Sequence, residues 1–187
     1  MKLQEQITVA KALLRLRLRM MVLNEEYKNG KFKIPIHLAF GHESIAVAVD
    51  SSMGADDQLV CSHRNLHYNL ARESHFHLIR DEFLLRQEGI ARGILGSMNL
   101  ANPARKVMYS SSVLGNNMPV ATGLALANSV MELDSVTIVV SGDGAMEEGS
   151  FYESLMFMRY QELKVIVIIE NNGWSLATRT SERRADI

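Results

Sequence analysis

Cysteine, proline, tryptophan and any surplus of charge are scarce in this chain of 187 residues. Its single cysteine, Cys61, excludes an internal disulfide, and a reducing cytoplasm is the compartment such usage fits. Twenty basic residues balance twenty-one acidic ones for a net charge of −1, so no basic excess points to nucleic acid and no acidic tail points to a disordered arm. The apolar runs are far too short to span a membrane. The amphipathic, arginine-bearing start, residues 3–23, has the look of an organelle transit peptide. However, Glu5 lies inside it and serine is absent, so it reads as a helix of the mature protein. The chain has three prolines and shows no internal repeats or low-complexity stretch.

What is present is a 47% hydrophobic composition, enough for one globular domain with a substantial core. The reading is a single domain over 1–187, with a helical segment over about 1–55 and an α/β core over about 56–187. Leu3, Ile7, Ala10, Leu14, Leu18 and Met21 recur at helical spacing, and Asn29-Gly30 ends that helix. Lys31 to Phe40 reads as an extended link, and Glu43 to Met53 as a second helix. Gln58 to Ser62 reads as a short strand delivering His63 and Arg64 into a loop. Asp81 to Glu88 looks helical, Gly93 to Pro103 irregular, and Met118 to Leu133 helical with Pro119 in its first turn.

The last third is the most ordered. Ser135 to Val140 is a β-branched strand ending in Gly142-Asp143-Gly144. Phe151, Leu155 and Met158 form a helical stripe, and Lys164 to Ile169 is a second apolar strand ending in Glu170-Asn171-Asn172-Gly173. Continuous apolar strands around a helix indicate a βαβ unit in a parallel sheet with helices on both faces. Parallel neighbours put their carboxyl ends on one edge, so Asp143 and Asn172 are expected to converge there. A carboxylate, an amide oxygen and a carbonyl are hard ligands suited to magnesium whose remaining positions are filled by phosphate oxygens and water. Gly142 and Gly144 allow close approach of a phosphorylated ligand, and a helix expected from near Glu147 would aim free amides at it.

Gly142-Asp143-Gly144 followed by Asn171-Asn172, with 172 minus 143 giving 29 residues, resembles the thiamine-diphosphate fingerprint. The longer strings Gly142 to Gly149 and Glu170 to Trp174 are most similar to the alpha subunits of two-chain 2-oxo acid dehydrogenases. The resemblance implies the thiamine-diphosphate-binding α/β fold, here incomplete at its C-terminus. It implies Asp143, the Asn172 side chain and the Trp174 carbonyl as magnesium ligands. It also implies that Gly144 and Ala145, flanked by Gly142, contact the diphosphate. Ser62-His63-Arg64 resembles the loop that holds the diphosphate, with Arg64 a planar fork of donors. Gly41-His42-Glu43 resembles a Gly-Gln-Glu helix start with histidine in place of glutamine, and Gly96-Ser97-Met98-Asn99 a Gly-Ser-Met-His element with asparagine last. Ser112-Val113-Leu114 resembles the segment where Ser112 meets the aminopyrimidine and Leu114 props the bent cofactor.

Read without the resemblance, Leu114 is a core residue, Asp143 a turn or helix-start residue, and Glu147 with Glu148 a complement to a helix dipole. His67, His75 and His77 show neither metal spacing nor a carboxylate companion, and surface or loop roles suit them. Cys61 reads as a buried structural thiol. No catalytic acid or base is identifiable.

By the resemblance, the cofactor is thiamine diphosphate with Mg2+, the substrate a 2-oxo acid, and the partners a beta subunit, in an alpha2beta2 assembly, and a lipoyl-bearing transacylase. Two alternatives stay open: a split transketolase or acetoin-cleaving enzyme, and a non-catalytic remnant that serves as an assembly surface. Family alpha subunits continue beyond Ile187, and a sheet lacking their further strands would expose an edge. The chain alone is therefore expected to be marginally stable and to gain stability from a partner. A cooperative thermal transition of the isolated chain, unchanged by an added beta subunit, would contradict this.

Overall fold

The computed structural model describes residues 3–184, and its contacts divide the chain into two compact units. The first comprises Met1–Met53 and His63–Arg105, the second Gly54–Ser62 and Lys106–Ile187. Residues 63–105 thus group with the N-terminal helices. Among the described residues no helix is long and apolar enough to cross a membrane.

The first unit is helical: α1 (Leu3–Lys28), α2 (Glu43–Ser52), α3 (Leu66–Arg72) and α4 (Phe76–Phe83). Helix α1 forms as its periodicity predicts, but its buried residues are Leu16, Met20 and Leu23, at spacings of four and three. Leu3, Ile7, Leu14, Leu18 and Met21 of the sequence-read stripe are exposed, so α1 carries apolar residues on two faces.

Helix α4 lies five residues earlier than the expected Asp81–Glu88, because Leu85 adopts a left-handed backbone (φ 57°) that ends the helical run. The turns that follow are organised by one side chain, the fully buried Glu82. Its Oε2 accepts the amides of Ala91 (2.9 Å) and Gly93 (2.8 Å), and its Oε1 those of Leu95 (2.8 Å) and Gly96 (3.2 Å). An irregular segment is held here by a carboxylate in place of a ladder of backbone bonds. Gly89 is required beside it, since a Cβ there would lie 2.5 Å from the Glu82 Cα.

His67 is wholly buried on α3 and packs on Tyr68 with ring centroids 4.1 Å apart; it is a core residue where a surface or loop role was expected. His75 likewise has the carboxylate companion the sequence did not reveal, its Nδ1 lying 3.2 Å from Glu73 Oε1.

The second unit carries a four-stranded parallel sheet in the order β2-β1-β3-β4. Its strands are β1 (Gln58–Ser62), β2 (Val107–Ser111), β3 (Thr137–Gly142) and β4 (Val165–Glu170), with α5 (Asn117–Val130) and α6 (Gly149–Tyr160) between the later ones. Val60, Met118, Ala121, Val139, Phe151 and Met158 form the core where β1, α5, β3 and α6 meet. The central strand β3 is buried from Thr137 through Ser141. Strand β4 is an edge with Ile166 half exposed, so the expected coverage of this strand is partial. A short hairpin, β5 (Trp174–Ser175) with β6 (Thr178–Arg179), and a one-turn helix α7 (Thr180–Arg183) follow.

Two outcomes test these anchors. Glu82→Gln leaves an amide with a single acceptor oxygen for four converging N–H groups, and should lower stability by about 2–4 kcal/mol in urea unfolding. Glu73 is nearly buried, and burial alone would raise its pKa. The backbone N–H of His75 together with Arg105, Asn102 and the His75 ring more than reverses this and holds it at about 2. A depressed carboxylate pKa stabilises the fold above the ordinary value of 4.5 and loses that stabilisation as pH falls toward 2. Acid titration should therefore show stability dropping across that window by about 3 kcal/mol, a drop that Glu73→Gln removes.

Candidate functional site: the carboxyl ends of strands β3 and β4

Strands β3 and β4 pair in parallel over six residues, and the last pair joins Gly142 to Glu170. Asp143 is one residue past that pair and Asn172 two past it. The structure thus brings the two predicted ligands to the same edge of the sheet, on neighbouring strands.

Asp143 opens a tight 3-10 turn, Asp143–Glu147, and is 2% exposed. Helix α6 begins at Gly149, two residues later than expected from Glu147, because Glu148 is extended (ψ 135°) and interrupts the helical run. On the other strand the chain reverses through two successive side-chain turns. Asn171 Oδ1 accepts the Gly173 amide (3.0 Å), and Asn172 Oδ1 accepts the Trp174 amide (2.9 Å). Gly173, at φ 74°, supplies the left-handed step between them. Asn172 and Trp174 are exposed, and the Arg179 guanidinium lies 5.1 Å from the centroid of the Trp174 ring.

The glycines flanking Asp143 differ. A Cβ at Gly142 would meet nothing within 4 Å, whereas one at Gly144 would lie 2.6 Å from the Ser175 Cβ and closer still to its hydroxyl. Ala145 is buried. Helix α5 is fixed to the same region, since Asn117, its first residue, donates through Nδ2 to the Val140 carbonyl (2.6 Å). Asn117 lies one residue ahead of the helix start expected at Met118; an asparagine beside an otherwise apolar helix start was the available signal. Ser112 and Leu114 lie in the loop that α5 follows, both exposed, with Leu114 51% accessible. Glycine is needed at 115, where φ is 75° and a Cβ would crowd the Glu148 side chain.

The charge balance around Asp143 was not foreseen. Its Oδ2 accepts from Arg183 Nη2 (2.7 Å) and from Thr180 Oγ1 (3.2 Å), and its carbonyl accepts from Arg184 Nη2. Glu147 Oε1 accepts from Arg183 Nη1 (2.7 Å) and Arg184 Nε (2.9 Å). Hydrogen bonding to Asp143, followed by Glu147, raises the Arg183 pKa above its ordinary range. Desolvation pushes Glu147 upward, but Arg183 and Arg184 outweigh it and leave its pKa below the usual glutamate value.

His63 and Arg64 belong to the first unit. Arg64 Nη1 donates to the Leu38 carbonyl. His63 packs edge-to-face on His37, with centroids 5.2 Å apart. His37 escaped the sequence reading; its place four residues before Gly41-His42-Glu43 was the one hint.

Compared with known proteins, residues 11–186 match the family model described as the dehydrogenase E1 component. The chain belongs to this family. It is 30% identical over 149 residues to the pyruvate dehydrogenase E1 component subunit alpha of Rhizobium meliloti, which covers 80% of this chain and 43% of that protein. It is 28% identical over 159 residues to the mitochondrial counterpart from Saccharomyces cerevisiae (85% of this chain, 37% of that protein). It is 27% identical over 156 residues to the alpha subunit of acetoin:2,6-dichlorophenolindophenol oxidoreductase from Bacillus subtilis (83% and 47%). The chain thus spans less than half the length of these E1 relatives.

In this E1-family chain His37 and His63, both in the first unit, make a checkable pair. Burial lowers the pKa of His37, with Arg64 adding to the effect; burial, then His37 and Arg64, lowers that of His63. A depressed histidine pKa means that stability is lost as pH falls below the ordinary 6.5, where the unfolded chain binds the extra protons. Proton NMR titration should find both rings titrating below 6.5, and Arg64→Gln should move both upward.

Proposed function

We propose that this chain is the diphosphate- and magnesium-binding part of a 2-oxo acid dehydrogenase alpha subunit. In this reading it works with a beta subunit, as alpha2beta2, in thiamine-dependent oxidative decarboxylation and acyl transfer to a lipoyl carrier. The single observation that supports it most is the Gly142–Glu170 pairing, which sets Asp143 and Asn172 on one sheet edge.

The donor set fits the proposed cation. Asp143 supplies a buried carboxylate, Asn172 an amide oxygen and Trp174 a carbonyl, an oxygen-only set that leaves positions for phosphate oxygens and water. Gly142, with free space where a Cβ would stand, offers the backbone approach a diphosphate requires, and Gly144 and Ala145 would flank it. His63, Arg64, Ser112 and Leu114 are proposed as the remaining cofactor contacts. When bound, thiamine diphosphate supplies the carbanion chemistry that cleaves the bond beside the substrate carbonyl. The chain's own part is to hold charge and orientation: Asp143 offsets the dication, the dication offsets the diphosphate, and the buried strand β3 keeps Asp143 in place.

Pyruvate and acetoin are both supported as substrates by the relatives' names, since the chain is similar to a pyruvate dehydrogenase subunit and an acetoin oxidoreductase subunit at nearly equal identity. The exposed apolar residues of α1, including Leu14, Leu18 and Met21, are proposed to serve as subunit contacts. A cytoplasmic setting is proposed on the strength of the lone, buried Cys61.

Calorimetric titration of thiamine diphosphate with and without Mg2+, on this chain and then with a beta subunit, tests the reading. Binding should require Mg2+. Asp143→Ala should weaken it by at least about 100-fold, because even outer-shell partners of a metal are worth roughly 10–100-fold. Binding indifferent to Mg2+ would refute the ligand assignment.

A further inference from the structure

We propose that residues 173–184 form a cation-mimicking strap, in which Arg183 holds the place at Asp143 that a divalent cation takes, so that loading of the site requires the strap to move. This rests on the cation-site reading above. Three observations carry it.

First, the guanidinium of Arg183 bridges two carboxylates that are four residues apart: Nη2 meets Asp143 Oδ2 and Nη1 meets Glu147 Oε1, each at 2.7 Å. Arg184 adds a second cation from the same side, through Nε to Glu147 and Nη2 to the Asp143 carbonyl. An acidic position built for a dication is thereby neutralised from within the chain.

Second, the strap also covers the adjoining backbone. Ser175 stands over Gly144, where a Cβ would come within 2.6 Å of the Ser175 Cβ, and this is the glycine proposed to lie along the diphosphate. One short segment thus occupies both the cation's place and part of the phosphate's. It is pinned near its start by the Thr180 amide on the Gly173 carbonyl (3.0 Å), beside Asn172 and Trp174.

Third, the contact is incompletely satisfied. Arg183 Nε is buried without a hydrogen-bond partner among the described residues, so the guanidinium gives up water without full replacement. A permanent structural ion pair is expected to satisfy its donors; one that must release its partner need not. A divalent cation brings twice the positive charge of one guanidinium to Asp143, and exchange of one for the other is then a displacement reaction.

Trp174, the chain's sole tryptophan, sits at the strap's origin under Arg179, so its fluorescence reports strap position independently of any turnover. The test titrates Mn2+ alone into the full chain, with bound metal read by electron paramagnetic resonance and the strap by Trp174 emission. Wild type should bind Mn2+ with a change in emission. Arg183→Gln should bind roughly tenfold tighter and start from emission already shifted toward the loaded value. Arg183→Lys, which keeps the charge but loses the fork, should fall between them. It also serves as the comparison if circular dichroism shows Arg183→Gln to be unfolded.

Equal or weaker Mn2+ binding by the folded variants would overturn the strap while leaving the cation site standing. So would wild-type binding with no change in emission. Mn2+ binding by none of these proteins, or binding unchanged in Asp143→Ala, would remove the cation site and the strap together.

Discussion

A buried carboxylate at the end of a central strand must be compensated, and most of the local structure follows from how this chain compensates Asp143. Strand β3 is shielded on both faces as far as Ser141, so the carboxylate that follows leaves the sheet interior with little water around it. Burying a lone carboxylate costs several kcal/mol, and a cation of some kind is the standard remedy. In this structure the cation is Arg183. In the proposed working state it is a hydrated dication carrying a diphosphate. The same physical demand accounts for the tight turn at Asp143–Glu147, for the second acid at Glu147 and for the two arginines that return to them from about forty residues on.

The sheet supplies the positional half of that arrangement. Parallel pairing of β3 with β4 through Gly142 and Glu170 determines which residues can share the site, because a one-residue slip would turn alternate side chains to the other face. Asn117 reinforces the position of β3 by donating from the first turn of α5 to the Val140 carbonyl. The first unit uses a parallel device at a different scale: Glu82 gathers four backbone amides and lets residues 89–96 run without regular structure. In the first unit an acidic side chain thus substitutes for backbone pairing; in the second, the acids at Asp143 and Glu147 pair with arginine side chains.

Legibility in the sequence followed the same physics. Strands β3 and β4 were readable because Val136 to Val140 is an unbroken β-branched run and Val165 to Ile169 an unbroken apolar one, and their tips were readable because glycine and asparagine cluster there. Strand β2 was missed because Ser110 and Ser111 make two of its five residues polar; both are buried, and Ser110 Oγ donates to the Ser62 carbonyl. Helix α3 was missed because Leu66, His67, Tyr68, Asn69 and Leu70 are all buried, so it has no polar face to set a period. The α1 stripe misled about direction, since a helix with apolar residues on two faces does not announce which one is inside. Arg183 and Arg184 read as ordinary charges near the end of the sequence; nothing local links them to an aspartate forty residues earlier, and only the fold makes that pairing visible.

Asp143 and Asn172, at neighbouring strand tips, are proposed to ligate one cation together. A crystal of this chain grown with Mn2+ and thiamine diphosphate, measured for anomalous scattering from manganese, tests it most directly. One peak is expected within ligand distance, about 2.0–2.3 Å, of both side-chain oxygens and of the Trp174 carbonyl. A manganese peak elsewhere, with Asp143 still bonded to Arg183, would contradict it.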